Sequence, residues 1–111
     1  MKGVWAVADS WWERERWAVD LVQYVILIRA FLEGRLTGGE FQMLYLAAFK
    51  SDNKHRPSDI FSILDGLFAD IDNYCSDDVV RQRVGGIDEE ELRARTQTAE
   101  ARLSDVATEH V

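Results

Sequence analysis

The chain reads as an all-α protein, a single compact antiparallel bundle of about four helices. Three observations predict this. Apolar residues recur at the three-and-four spacing of one helix face along most of the length, Pro57 is the only proline among 111 residues, and no stretch alternates apolar with polar as a half-buried strand does. Capping motifs then mark where the helices start.

Ser10-Trp11-Trp12-Glu13 has the form of a capping box, and Trp17, Leu21, Tyr24, Val25, Ile28, Phe31 and Leu32 follow on one face, which predicts a first helix from Ser10 to Glu33. Gly34 stands where a helix C-terminus favours positive φ, and Thr37-Gly38-Gly39-Glu40 is a second capping box. The second helix carries Phe41, Leu44, Tyr45, Ala48 and Phe49 as its inner face and ends before the polar break SDNKHR. Pro57 suits the first turn of a third helix, whose stripe is Ile60, Leu64, Leu67, Phe68, Ile71 and Cys75. In SDDVVRQR, Ser76 is a candidate cap for a short segment with acids at its start and Arg81 and Arg83 at its end. Gly85-Gly86 breaks the chain, and Asp88 with Glu91 caps a last helix that runs through Leu92 toward Leu103 and Val106 with a thin apolar face. This length suits one domain spanning 1–111, with 1–9 as an N-terminal extension and 104–111 as a fraying C-terminus.

Much chemistry is missing. The lone Cys75 forms no internal disulfide, and His55 and His110 offer no zinc spacing, which fits a reducing, cytoplasmic setting. The apolar run in MKGVWAVADS is too short for a secretory signal, and LVQYVILIRAFL, interrupted by Gln23 and Arg29, is too short for a membrane span. Asp70-Ile71-Asp72-Asn73 opens like a calcium loop but has Cys75 where glycine is needed and Arg81 where glutamate is needed. Residues two apart on a helix diverge by about 200°, so Asp70 and Asp72 do not form a catalytic carboxylate pair. Neither glycine pair has the spacing or the lysine of a phosphate loop. The expectation is therefore no cofactor, no metal, no small-molecule substrate and no enzymatic activity; the minor alternative is a small enzyme using Cys75 or His55 in a helical cavity.

Charge is uneven. Residues 1–58 hold eight Lys/Arg and seven Asp/Glu, whereas 59–111 hold five and thirteen, a net of −8. Residues 92–111 are balanced, so the excess lies between Asp59 and Glu91. Such a segment repels phosphate backbones, which argues against direct nucleic-acid binding, and attracts a cationic partner. Asp88, Glu89, Glu90 and Glu91 are explained by capping and the helix dipole, and Asp77 and Asp78 suit the first turn of the short segment. Asp70 and Asp72 resist that explanation, because they fall in the last turns of the third helix, where the dipole disfavours acids. At about 100° per residue, Asp65 and Asp72 flank the apolar stripe on one side and Asp59 and Asp70 on the other, with Tyr74 one turn beyond Asp70 as a rigid aromatic anchor. Against this stands the plainer reading of a solvated face with Tyr74 at the edge of the core.

A rival function rests on the four tryptophans, Trp5, Trp11, Trp12 and Trp17. Adjacent Trp11 and Trp12 cannot both point inward on one helix, so an exposed ring would let an intracellular scaffold or regulatory subunit self-associate.

Three blocks in order, YVILIRAFLEGRLTGGEFQMLY, IFSILDGLFADIDNYCSDD and IDEEELRART, resemble the colicin D type of bacterial immunity protein, including the related contact-dependent growth inhibition immunity proteins, over roughly residues 20–103. The most specific part is FLEGRLTGGEF combined with a D-x-D-x-Y-C-x-D pattern formed by Asp70, Asp72, Tyr74, Cys75 and Asp77. Residues 1–17 have no counterpart in the resemblance. It implies a small helical bundle that binds one cognate toxin nuclease domain, tRNA-cleaving in the colicin D case, and blocks its active site with negative charge. Charge and position, rather than the resemblance, then place Asp59, Asp65, Asp70, Asp72, Asp77 and Asp78 against the toxin's Lys and Arg, with Tyr74 as central anchor.

Overall fold

The computed structural model describes residues 21–109. Its helices are α1 (Val22–Leu32), α2 (Gly38–Ser51), α3 (Ser58–Asp72), α4 (Asp78–Val84) and α5 (Glu89–Glu109), with no strand among the described residues. The predicted start of the first helix, Ser10 to Asp20, lies outside them, as do all four tryptophans.

Local signals set most of the boundaries. The Thr37 side chain accepts from Glu40 N while Glu40 accepts from Thr37 N, so the predicted capping box at α2 is complete. Gly34 takes the positive φ expected after α1, at 81°, and Gly85, at the predicted break in the chain, also takes positive φ, at 72°. Asp88 accepts from Glu91 N at 2.8 Å and starts α5.

Four long helices close a ring in which α1 packs on α2, α2 on α3, α3 on α5 and α5 back on α1. Every neighbouring pair is antiparallel. Phe31 stacks on Phe41 while Tyr24 meets Phe49. Gln42 reaches the C-terminus of α3 while Phe49 lies over Phe61 near its start. Asp70 at the end of α3 pairs with Arg95 near the start of α5. Arg93 donates to Phe31 O at 2.8 Å, while Arg29, nearer the start of α1, pairs with Glu100.

The core fills from the predicted stripes: Tyr24, Val25, Ile28 and Phe31 from α1, Phe41 and Tyr45 from α2, Ile60, Leu64, Leu67 and Ile71 from α3, and Leu92 and Leu103 from α5. Ile63 joins them. Leu44 does not: it sits on the flank of α2, one position off the Phe41–Tyr45–Phe49 line, and is 40% exposed. Both buried tyrosine hydroxyls are satisfied, Tyr45 by Leu64 O at 2.9 Å and Tyr24 by Asp52 at 2.6 Å.

The third helix is shorter than its periodicity predicts. It stops at Asp72, so Tyr74 and Cys75 do not continue its stripe. Asn73 takes the C-cap, and the chain then turns extended: Cys75 N donates to Ile87 O at 3.0 Å and Ile87 N to Asn73 O at 2.9 Å, a single parallel bridge. That tertiary pairing, with an acid-rich last turn the dipole disfavours, outweighs three more residues of helix. Cys75 is consequently a half-buried free thiol at the rim of the core, its S–H directed at Asp77 O, 3.6 Å away.

Candidate protein-binding surface

The seven residues singled out by charge and position separate into those with an internal task and those without one. Asp70 is half-buried and faces α5, where it accepts from Arg95 at 2.7 Å; Glu91 accepts from the same guanidinium at 2.9 Å. Hydrogen bonds from Arg95 to Glu91 and then to Asp70 raise its already high pKa, so the cation is permanent. This is the compensation that an acid at the end of α3 requires. The triad closes one side of a groove of about 250 Å³ between α3 and α5, floored by Ile63, Leu67 and Ala99.

Asp77 is the N-cap of α4, accepting from Val80 N at 2.9 Å, so the cap is Asp77 and not Ser76. A carboxylate outcompetes the neighbouring hydroxyl there because it also answers the positive end of the dipole. Asp78, in the first turn, pairs with Arg81. Asp59 lies in the first turn of α3, where its carboxylate accepts from Ile60 N at 2.8 Å.

Tyr74 is half-buried, with its phenol end lying over Gly38 at the start of α2. Gln42 donates to Tyr74 O and Ile71 O, and Glu89 accepts from Gly38 N at 2.9 Å, so this corner ties α2, the turn after α3 and the start of α5 together. Burial first, and the Glu89 carboxylate second, push the Tyr74 hydroxyl above its ordinary pKa and keep it protonated. The two most specific blocks of the sequence therefore meet here. A Cβ on Gly38 would stand 2.8 Å from Tyr74 Cζ and Oη and from Glu89 Oε1. Gly38→Ala is expected to destabilise by about 1–3 kcal/mol through that overlap. In a Tyr74→Ala background the part of the penalty due to the phenol should vanish while that due to Glu89 remains, and urea unfolding of the four-member cycle would measure the coupling.

Asp65 and Asp72 have no such occupation. Both are exposed on α3, and among the described residues neither has an ion-pair partner. Seven positions apart, they share one flank at a separation of about 10 Å along the axis. Among the described residues, Asp72 is thus the one acid of the D-x-D-x-Y-C-x-D pattern without an ion-pair partner or cap.

The family model for bacterial self-protective colicin-like immunity matches residues 20–103, a span running from the last residue before the described region to Leu103 within α5. The chain belongs to that family. No curated protein and no solved structure matches it. Membership in a self-protective immunity family implies a protein that binds a cognate toxin and acts as its inhibitor. Among its described residues no helix is long and apolar enough to cross a membrane.

Charge reading overlooked one exposed residue of this immunity protein. Phe61, on the same flank of α3 as Asp65 and Asp72, is 50% exposed while its ring stacks on Phe49 at 6.0 Å. Its signal in the sequence was the interleaving of Phe61, Asp65, Phe68 and Asp72 at i, i+4, i+7 and i+11, which lies beside the apolar stripe.

Proposed function

We propose that this immunity protein binds the nuclease domain of its cognate toxin, a tRNase or other RNase, one to one in the cytoplasm of the producing cell, and occupies the toxin's basic active site with an acidic surface. The surface comprises Asp59, Asp65, Asp70, Asp72, Asp77 and Asp78, with Tyr74 as its aromatic anchor. The observation that carries this reading is the pair Asp65 and Asp72: two exposed carboxylates without an ion-pair partner among the described residues, inside the segment that holds the chain's whole acidic excess. A domain that grips RNA presents Lys and Arg to phosphate, and a folded array of carboxylates is a phosphate substitute that such a groove attracts from a distance. Asp70, held at its site by Arg95, would present a fixed rather than a mobile charge.

The test is capture. Immobilised protein is exposed to purified nuclease domains encoded beside its gene, at low and moderate salt, and nuclease activity is assayed with and without it. Binding of one domain, weaker at the higher salt and accompanied by loss of RNA cleavage, is the expected result. Binding without inhibition would remove the active-site part of the reading, and no binding at either salt would remove it all.

A further inference from the structure

Phe61, Asp65, Phe68 and Asp72 fall within about 60° of arc on α3, an alternation of aromatic and acid along one line. The aromatic members are fixed from behind. Phe49 of α2 stacks on Phe61 at 6.0 Å and on Phe68 at 4.8 Å, both with interplanar angles of 29°, so the three rings form one backed surface rather than a loose side chain. Phe68 is half-buried against the core, and Phe61 is its outward continuation. Beside Phe61 lies a small cavity of about 90 Å³ between Phe49, Asp52, Lys54, Arg56 and Leu64, in which Asp52 and Arg56 pair at 2.8 Å and Lys54 contributes a further cation to the lining. Along the α3 line itself the charged side chains offered to a visitor are Asp65 and Asp72.

A half-exposed phenylalanine held rigid, with an acid one turn away, matches the features that concentrate binding energy: apolar area, little conformational entropy left to lose, and a rim of charge. The face of the ring attracts a cation, and a guanidinium fits it better than an ammonium because it is planar, weakly hydrated and able to stack while still hydrogen-bonding a carboxylate. Residues four apart on a helix are surface neighbours, so one arginine on Phe61 reaches Asp65 as well. The next acid along the line, Asp72, stands about 10 Å further on.

We infer that the Phe61–Asp65–Phe68–Asp72 line is the anchoring strip of the interface, and that its occupant is a segment of the toxin domain carrying two arginines about 10 Å apart, one seated on the Phe61 ring against Asp65 and the other meeting Asp72. This rests on the toxin-binding reading above and adds which residue dominates the contact and what chemistry it selects.

The experiment uses the full chain and the purified nuclease domain encoded beside its gene, with association and dissociation rates followed at two salt concentrations for wild type, Phe61→Ala and Phe61→Leu. Phe61→Ala is expected to weaken binding by about 30-fold or more, chiefly through faster dissociation, with the salt dependence of association unchanged. Phe61→Leu keeps the packing on Phe49 but removes the aromatic face, so it should fold as wild type and still lose about 3- to 10-fold. If the wild type binds and both variants bind within about threefold of it, the anchoring strip is wrong and the toxin-binding reading survives. If the wild type binds no nuclease domain, that reading falls and the strip falls with it.

Discussion

Replacing Asp52 by alanine is expected to lower folding stability by about 3–5 kcal/mol, the largest effect of any polar substitution in the described bundle. Asp52 follows α2 in a segment that looks like a loop, yet its side chain is only 8% exposed and that of its partner Arg56 only 6%. The carboxylate accepts from Tyr24 Oη at 2.6 Å, from Arg56 Nη2 at 2.8 Å and Nε at 3.2 Å, and from Lys54 N at 3.0 Å. Arg56 also lies over the Tyr24 ring, 5.6 Å from its centre. Truncating the acid withdraws the carboxylate from a buried cation and from a buried hydroxyl at once, and both are then desolvated for less return. Asp52→Asn keeps an acceptor for Tyr24 and should cost distinctly less. Urea unfolding of the two variants provides the check, and a loss below about 1 kcal/mol for Asp52→Ala would mean that water reaches the site and replaces the carboxylate.

The same network sets a pH dependence. Burial acts to raise the Asp52 pKa, but hydrogen bonds from Tyr24, Lys54 N and Arg56, with the arginine charge, outweigh it and hold the group below its ordinary value. A carboxylate with a lower pKa folded than unfolded contributes stability that is fully present above the unfolded value, about 4, and is lost as pH falls through the folded one. Asp52→Asn should therefore flatten the acid limb of the stability curve. Tyr24 does not compete in this window, because burial and then Asp52 push its hydroxyl far above the usual range. By joining the end of α2 to the start of α3, this network also fixes the Phe49 and Phe61 rings relative to one another, so stability and binding surface share a support.

What was legible in the sequence was what is local. The capping box at Thr37, the cap at Asp88, the positive-φ Gly34 and the break at Gly85 each involve neighbours within a turn, and the chain reports them directly. The apolar stripes of α1 and α3 are likewise one-helix properties. The end of α3 was not legible, because the residue that stops it, Ile87, is thirteen positions from Tyr74 and nothing in the spacing announces a single parallel bridge. Arg95, which neutralises Asp70, is 25 residues away, and Tyr24, which buries Asp52, is 28 away. For the surface, residue type and position singled out seven candidates; Asp77 and Asp78 do local work in α4 that the sequence already suggested, whereas only tertiary structure separates Asp70, paired with α5, from Asp65 and Asp72, which have no ion-pair partner among the described residues. Phe61 escaped notice because an aromatic beside an apolar stripe reads as core until its neighbours on α2 are known.

That separation gives charge reversal at Asp65 and Asp72 an interpretable outcome. Each Asp→Lys change adds two charges, so the double variant moves the formal net charge from −7 to −3 and places two cations about 10 Å apart where the proposed interface needs anions. Because neither carboxylate has an ion-pair partner among the described residues, the unfolding free energy should stay within about 0.5 kcal/mol of wild type. Association with the nuclease domain, in contrast, should slow by at least about tenfold at low salt, and its decline with rising ionic strength should become shallow. Reversal at Asp70 would not serve, since a lysine there would face Arg95 and lose an internal ion pair. Asp77→Ala would remove a helix cap, at about 1 kcal/mol, before it tested any interface. Stopped-flow association rates across ionic strength, measured beside urea unfolding of the same samples, separate the two effects. Unchanged rates in a folded Asp65→Lys/Asp72→Lys protein would place the toxin contact elsewhere on the bundle and return these two aspartates to ordinary solvent-facing charge.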